Sequence, residues 1–131
     1  MVKVTVSAEI RPTEDERKVV EALRNIFAGS IIVSELSEGY RIARGVSESI
    51  EALKPLRDLA RIQQVEPALR SYLSKYRRSG VIELFIHKQA AYAGRLSLVD
   101  SDKESPLGAI RLLVEGGEEE LDSVVYYLTG S

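Results

Sequence analysis

The chain contains no cysteine and no tryptophan, and it has only one histidine. Without cysteine it cannot form disulfides, thiolate zinc sites or thiol nucleophiles, and a single histidine excludes most histidine-based metal sites and catalytic triads. No apolar run approaches the roughly 20 residues of a membrane span, and the N-terminal sequence MVKVTVSAEI lacks the layout of a signal peptide. These absences predict a cytoplasmic protein without a bound metal or cofactor.

Aromatic residues are also scarce, at 6% of the sequence, whereas hydrophobic residues as a whole make up 44%. The core is therefore expected to be mainly aliphatic. The length of 131 residues fits one domain that can bury a large share of its surface, so we expect a single domain over residues 1–131.

Side chains that are sensitive to heat are rare, and arginine outnumbers lysine twelve to six. High-temperature proteins tend to be rich in charged residues and poor in Asn, Met and Cys. This composition favours a thermophilic source, although drift in a small chain produces the same bias.

The formal net charge of −2 argues against a strongly basic nucleic-acid clamp. The charges are unevenly distributed, however: residues 54–95 carry nine bases and three acids, and residues 100–131 carry two bases and eight acids. This polarity predicts a basic patch on an acidic protein. Helix ends that select charges to suit their dipoles are the alternative explanation.

Hydrophobic periodicity divides the chain into ten elements in the order β-α-β-β-α-α-β-β-β-α. The first strand alternates apolar and polar residues up to Ile10, and Thr13 with Glu16 forms a capping box for the first helix. Two β-rich runs, 31–36 and 40–46, form a hairpin. Ser47 caps a helical stretch that is interrupted near Pro55.

The second half begins with a helix that Pro67 opens and Gly80 closes. The run 81–86 then forms a buried strand, which we expect to pair with the run around residues 96–98 in a hairpin that turns at Lys88–Ala91. Residues 99–108 are expected to form an ordered loop beside that turn. Short links between strands predict an α+β fold with one antiparallel or mixed sheet of about five to six strands and helices on one face.

Three acidic residues alternate in VDSDKESPLG, namely Asp100, Asp102 and Glu104, as they do at the start of a calcium-binding loop. The pattern then fails, because Ser105 stands where that loop requires glycine and Arg111 stands where it requires glutamate. The acids and His87 could serve a metal-assisted phosphoesterase. A solvated loop whose side chains bond their own backbone explains them better.

Side chains suited to RNA contacts fall into two groups. His87, Lys88, Gln89 and Arg95 surround a run of small residues, and they can contact phosphates or base edges, together with Lys103. Arg70, Arg77 and Arg78 decorate the helix that follows Pro67. Surface exposure or helix-end electrostatics explain the same residues without RNA, and none of the common RNA-binding sequence signatures is present.

The blocks VTVSAEIRPTEDERKV, HKQAAYAG and VDSDKESPLGAI resemble the signature of a family of small archaeal proteins that is described as predicted RNA-binding. The resemblance spans most of the chain and is weakest over residues 29–45. It implies a fold similar to the 5S-rRNA-binding ribosomal protein of the large subunit, and it carries over no catalytic residues.

The residues and the resemblance together predict a non-catalytic RNA-binding protein linked to ribosomes or RNA processing. The polar outer face of the sheet, with Lys3, Arg41 and Arg95 as candidates, is the expected contact surface. Two alternatives stay open: the metal-assisted phosphoesterase, and a protein-interaction subunit that forms a homodimer.

Overall fold

The computed structural model describes residues 2–100 and 108–130. Its strands are β1 (Lys3–Ile10), β2 (Ile32–Ser37), β3 (Tyr40–Ser47), β4 (Arg77–Arg78), β5 (Val81–His87), β6 (Leu98–Val99) and β7 (Ala109–Glu115). Its helices are α1 (Glu16–Arg24), α2 (Lys54–Ile62), α3 (Glu66–Tyr76), α4 (Lys88–Tyr92) and α5 (Glu118–Thr129), with a 3₁₀ turn at Ile50–Leu53.

The strands form one seven-stranded sheet in the order β2-β3-β1-β7-β5-β4, and β6 pairs with β5 beyond the end of β4. Every pairing among the described residues is antiparallel. The predicted α+β class and single sheet are therefore confirmed. The sheet has more strands than expected because β4 is a two-residue strand that periodicity cannot detect.

Alternation in β1 places Val4, Val6, Ala8 and Ile10 on one face, where all four are buried. The alternating apolar residues of β5 and β7 face the same way, and they pack with the apolar stripes of the long helices in one core. An amphipathic helix must bury its apolar stripe against another element. One face of the sheet is thus covered by helices, as the sequence predicts.

The first helix begins at Glu16, with Asp15 as its N-cap, so the predicted capping box from Thr13 is wrong. The Asp15 carboxylate accepts a hydrogen bond from the backbone N–H of Arg17 at 3.0 Å. The Glu14 carboxylate turns back instead and accepts one from the N–H of Arg11 at 2.9 Å. The cap therefore lies two residues later than the sequence predicted.

The helical stretch that was expected from Ser47 begins later, at Ile50, with Ser49 as its cap. The predicted interruption near Pro55 is present, because α2 starts at Lys54 and its first turn tolerates a proline that has no N–H to donate. The next helix, α3, opens with Pro67 in its first turn as predicted, but it ends at Tyr76 and leads directly into β4.

The strand β6 pairs with β5 through Phe85 with Val99, so the predicted strand partner is confirmed. The predicted tight turn at Lys88–Ala91 is wrong, because these residues form α4. The His87 Nδ1 atom caps this helix by accepting from the N–H of Ala90 at 3.1 Å. The predicted loop over residues 99–108 lies mostly outside the described residues.

Strand β3 turns its small residues toward the helices. Ala43 and Gly45 face the core, and a Cβ atom added at Gly45 would lie 2.6 Å from the Phe27 ring and 2.9 Å from the carbonyl oxygen of Ser30. Ile42, Arg44 and Val46 of β3 therefore point to the other face of the sheet. In β3 the small residues are thus the buried ones, and the larger residues between them lie on the face away from the core.

Among the described residues, no helix is both long enough and apolar enough to cross a membrane.

Candidate nucleic-acid interface

The sheet has a second face on which no described helix packs, and we call it the open face. Register between the strands identifies its residues. They are Ile32 and Ser34 of β2; Ile42, Arg44 and Val46 of β3; Lys3, Thr5, Ser7 and Glu9 of β1; Arg111, Leu113 and Glu115 of β7; and Val81, Glu83, Phe85 and His87 of β5.

A shallow groove of about 230 Å³ crosses the middle of the open face. Two arginines, Arg44 and Arg111, lie on either side of Ser7, because β1 separates β3 from β7. Lys3 and Thr5 continue the groove along β1. Guanidinium, ammonium and hydroxyl groups are donors that commonly contact phosphate and sugar oxygens. The centre of this face therefore presents several donors side by side, with the Glu115 carboxylate at one end of the groove.

One row of residues runs across the strands through this groove. Its members pair in the order Ile32, Arg44, Ser7, Arg111 and Phe85. Neighbouring strands lie about 4.8 Å apart, so the two arginines are separated by roughly 10 Å at the backbone. Three donor side chains thus stand together in the middle of the row, and an apolar side chain lies at each end.

The cations of the groove differ in their partners. The Arg111 Nε atom donates to a Glu83 carboxylate oxygen at 2.5 Å, and this pair fixes the guanidinium on the face. The side chains of Arg44 and Lys3 form no hydrogen bond or ion pair with any other residue between 2 and 100 or between 108 and 130. Both are exposed, so their charges are available to a ligand.

Three of the predicted contacts, His87, Gln89 and Arg95, line one concavity of about 480 Å³ beyond the end of the open face, next to Ser97. We call it the 87–97 pocket. His87 lies two residues beyond Phe85 along β5 and on the same face, so this pocket lies roughly 7 Å along the strand from the Phe85 end of the row. The structure thus brings together three residues that the sequence suggested separately.

The segment that carries Arg95 is held from both sides. The backbone N–H of Arg95 donates a hydrogen bond to the carbonyl oxygen of Ala90. The backbone N–H of Gly94, which has a left-handed φ of 78°, donates to the carbonyl oxygen of Ala91. Next along the chain, the side-chain amide of Gln63 exchanges two hydrogen bonds with the backbone of Leu96, at 3.0 and 2.7 Å. The pocket is therefore preorganised.

Lys88 was expected on the surface beside this pocket, but it is buried, with 3% of its surface exposed. Its ammonium donates to the carbonyl of Glu9 at 2.8 Å and to both Glu14 carboxylate oxygens, at 3.2 and 3.1 Å. Burial lowers the pKa of Lys88, while the hydrogen bonds and charge of Glu14 oppose that shift. Lys88 ties α4 to the chain before α1 and cannot reach a ligand on the surface.

The three predicted arginines around α3 lie elsewhere. Arg77 bridges α3 and α5, because it contacts Asp122 at 2.6 Å and Glu118 at 3.6 Å, and the Asp122 hydrogen bond raises its pKa. Arg70 lines the same crevice, and Arg78 bonds backbone carbonyls. Arg78 pairs with Val81 at the opposite end of β5 from His87, roughly 20 Å away. The two predicted groups do not form one site.

The charge polarity of the sequence is largely neutralised by contacts within the protein. Bases of the middle third pair with acids from the two ends: Lys75 with Asp100, Arg77 with Asp122, and Lys88 with Glu14. The basic patch expected from counting charges is therefore not the main basic feature of the structure. The bases that remain free on the open face come from other parts of the chain.

Two of the three candidates for the outer sheet face are also placed elsewhere. Arg41 pairs with Ile10 on the helix-covered face, where its guanidinium binds Glu16 at 2.5 Å. Arg95 follows α4 and is not part of the sheet. Lys3 does lie on the open face, while the prediction for Lys103 lies outside the described residues.

Sequence reasoning missed Arg44 and Arg111, which are the centre of the groove. For Arg111 the alternation of β7 was a sufficient signal, because Ile110, Leu112 and Val114 define the buried face and place Arg111 on the other one. In β3 the apolar residues occupy the face opposite to the one that alternation suggests.

The acids proposed for a metal site are only partly described. Asp100 accepts a hydrogen bond from the Tyr76 hydroxyl, which lowers the pKa of Asp100, and it pairs with Lys75 at 3.5 Å. Register places it about three residues from His87 along β5, or roughly 10 Å. In the part of the chain that the structure describes, no three His, Asp or Glu residues are grouped to hold a metal ion.

Comparison with known proteins adds a family to this geometry. A family model described as RNA binding matches residues 3–115, which include the groove and the 87–97 pocket. Two archaeal relatives, both called UPF0201 protein, are similar to the chain. The one from Aeropyrum pernix is 40% identical over 115 residues, which cover 87% of this chain and 77% of the relative. The one from Metallosphaera sedula is 39% identical over 129 residues, with 98% and 87% covered.

A solved structure shares the fold. The crystal structure of the UPF0201 protein from Methanococcus jannaschii superposes with a TM-score of 0.85 at 25% sequence identity, and the match covers 98% of this chain and 93% of the other. The protein AF2318 from an Archaeoglobus species superposes with a TM-score of 0.66 at 22% identity and shows the fold alone. The arrangement of sheet and helices thus recurs among these proteins.

Proposed function

This chain belongs to the RNA-binding family whose model spans residues 3–115, and from that premise we propose that it binds RNA on the open face of its sheet. The observation that carries the proposal is the groove in which Arg44 and Arg111 flank Ser7, with no described helix over it. Arginines at this spacing can each hold a phosphate. The hydroxyls of Thr5 and Ser7 lie between them for sugar oxygens.

Single-stranded RNA is the preferred ligand. Proteins read single strands by splaying bases over a sheet or an apolar platform, whereas a duplex offers them mainly backbone and shape. The open face has half-buried apolar residues beside its cations, including Ile42, Leu113 and Phe85. A duplex would leave these side chains without partners, while unstacked bases can cover them.

The finer expectations from the resemblance are part of the proposal. We place the protein in the cytoplasm, with a fold like that of the 5S-rRNA-binding ribosomal protein and a role at the ribosome or in RNA processing. Support comes from the helix-backed antiparallel sheet and from the RNA-binding description of the family. The function needs no catalytic group, because it consists of binding alone.

The affinity for RNA should fall as the salt concentration rises, with a slope that reports the number of phosphates that the protein neutralises. If Lys3, Arg44 and Arg111 each neutralise one phosphate, the logarithm of affinity for a single strand should fall with the logarithm of salt concentration with a slope of about −2. Anisotropy titrations of a labelled single-stranded RNA over a salt series measure this slope, with a hairpin RNA in parallel.

An unrelated protein of the same net charge serves as the control. The proposal predicts tighter binding than the control at low salt and a preference for the single strand over the hairpin. Affinity equal to that of the control would overturn it.

A further inference from the structure

We propose that the 87–97 pocket binds the terminal phosphate of an RNA strand that lies on the open face, an inference that rests on the proposed function. The pocket presents the Arg95 guanidinium, the Gln89 amide, the Ser97 hydroxyl and the His87 ring around a floor of Ala90 and Leu96. All four polar side chains can donate hydrogen bonds. Four donor side chains in one pocket suit a terminal phosphate, which has three acceptor oxygens.

The pocket differs from its neighbours in having no carboxylate among its lining residues. Each of the three other described concavities includes at least one: Glu14 beside α1, Asp122 between α3 and α5, and Glu115 in the groove. A carboxylate repels phosphate, and its absence matters most for the ligand group with the highest negative charge. The lining therefore selects for an anion.

The donors are free to bind. Within the described residues, the side chains of Gln89, Arg95 and Ser97 form no hydrogen bond or ion pair. The Nδ1 atom of His87 accepts from Ala90, so the ring proton of the neutral imidazole is on Nε2 and that atom is a donor. Both ends of the segment that carries Arg95 are held, by the Ala90 carbonyl and by Gln63, so its backbone loses little conformational entropy on binding.

The chemistry of the ligand distinguishes a strand end from an internal linkage. A terminal phosphate carries a charge of about −1.5 to −2 at neutral pH and has three acceptor oxygens, whereas an internal phosphodiester carries one charge and has two free oxygens. The pocket offers four donor side chains, and hydrogen bonds from them are strongest to the group with the higher negative charge, which is the terminal phosphate. His87 lies only two residues along β5 from Phe85, so an RNA strand on the open face can place its end in this pocket.

Three versions of one short single-stranded RNA test the inference: one with a 5′-phosphate, one with a 3′-phosphate and one with hydroxyls at both ends. We expect one phosphorylated version to bind about tenfold more tightly than the hydroxyl version, as one charge-assisted contact contributes. Tighter binding of the 5′-phosphate version would place the 5′ end of the strand in the pocket, and tighter binding of the 3′-phosphate version would place the 3′ end there. The Arg95→Ala variant should lose this preference and bind the hydroxyl version as the unaltered protein does.

The possible failures separate the two proposals. If all three RNAs bind equally well, the terminal-phosphate inference is wrong and RNA binding on the open face stands. If none of them binds, the proposed function falls and the inference with it. Arg95 is exposed, and its side chain forms no hydrogen bond or ion pair within the described residues, so an unchanged melting temperature in Arg95→Ala confirms that any loss of preference is local.

Discussion

Replacing Lys88 with methionine is expected to lower the free energy of unfolding by about 3–5 kcal/mol. The side chains of Lys88 and Glu14 are 4% and 7% exposed, and their ion pair joins the start of α4 to the loop between β1 and α1. Methionine keeps most of the volume of the lysine but leaves the Glu14 carboxylate buried without its counter-ion. The cost of that uncompensated charge dominates the loss.

Denaturant or thermal unfolding measures this effect, which corresponds to a fall in melting temperature of roughly 11–18 °C. Lys54→Met is the matched control, because it removes a lysine from an exposed pair with Asp58, and it should cost no more than about 0.5 kcal/mol. Adding Glu14→Gln to Lys88→Met should recover part of the loss, since it removes the stranded charge. Equal effects of Lys88→Met and Lys54→Met would show that the buried pair has no special role.

Removing both groove arginines, as Arg44→Ala with Arg111→Ala, is expected to weaken the binding of single-stranded RNA by at least about 30-fold. Each guanidinium loses a charge-assisted contact with a phosphate, and these contacts contribute more than neutral hydrogen bonds do. The salt slope should become shallower by about 1.4, because two phosphates are no longer neutralised. Anisotropy titrations of the double variant give both quantities.

A second double variant controls for the change in net charge. Arg24→Ala with Arg61→Ala also removes two positive charges, but from exposed positions near the ends of α1 and α2. At moderate salt, charges remote from the ligand are screened, so this variant should lose less than about 3-fold in affinity. If the two double variants weaken binding equally, the open face is not the contact surface.

The parts of the fold that follow from local periodicity were predictable. Strand β1 shows its buried face directly in the alternation of valine and isoleucine with polar residues, and Pro67 marks the start of α3. Such signals depend on neighbours in the chain alone. The helix α4 was missed because only five residues form it, and its cap, His87, also ends a strand.

The candidate site was less predictable because it depends on contacts between distant residues. Arg41 and Arg44 lie three residues apart in β3 and look equivalent in the sequence. The space that Phe27 occupies beneath Gly45 decides that Arg44 lies on the open face, while Arg41 lies on the helix side with Glu16. The burial of Lys88 likewise depends on a glutamate 74 residues earlier in the chain.

Mapping the RNA contacts residue by residue tests the central claim most directly, and a chain of 14.5 kDa is small enough for two-dimensional amide NMR. Titration with the preferred single-stranded RNA should shift the amide signals of the open-face strands, above all near Ser7, Arg44 and Arg111, and those around Arg95. Signals from the exposed sides of α1, α2 and α5 should stay in place. Shifts confined to those helices, with the strands unchanged, would contradict RNA binding on the open face.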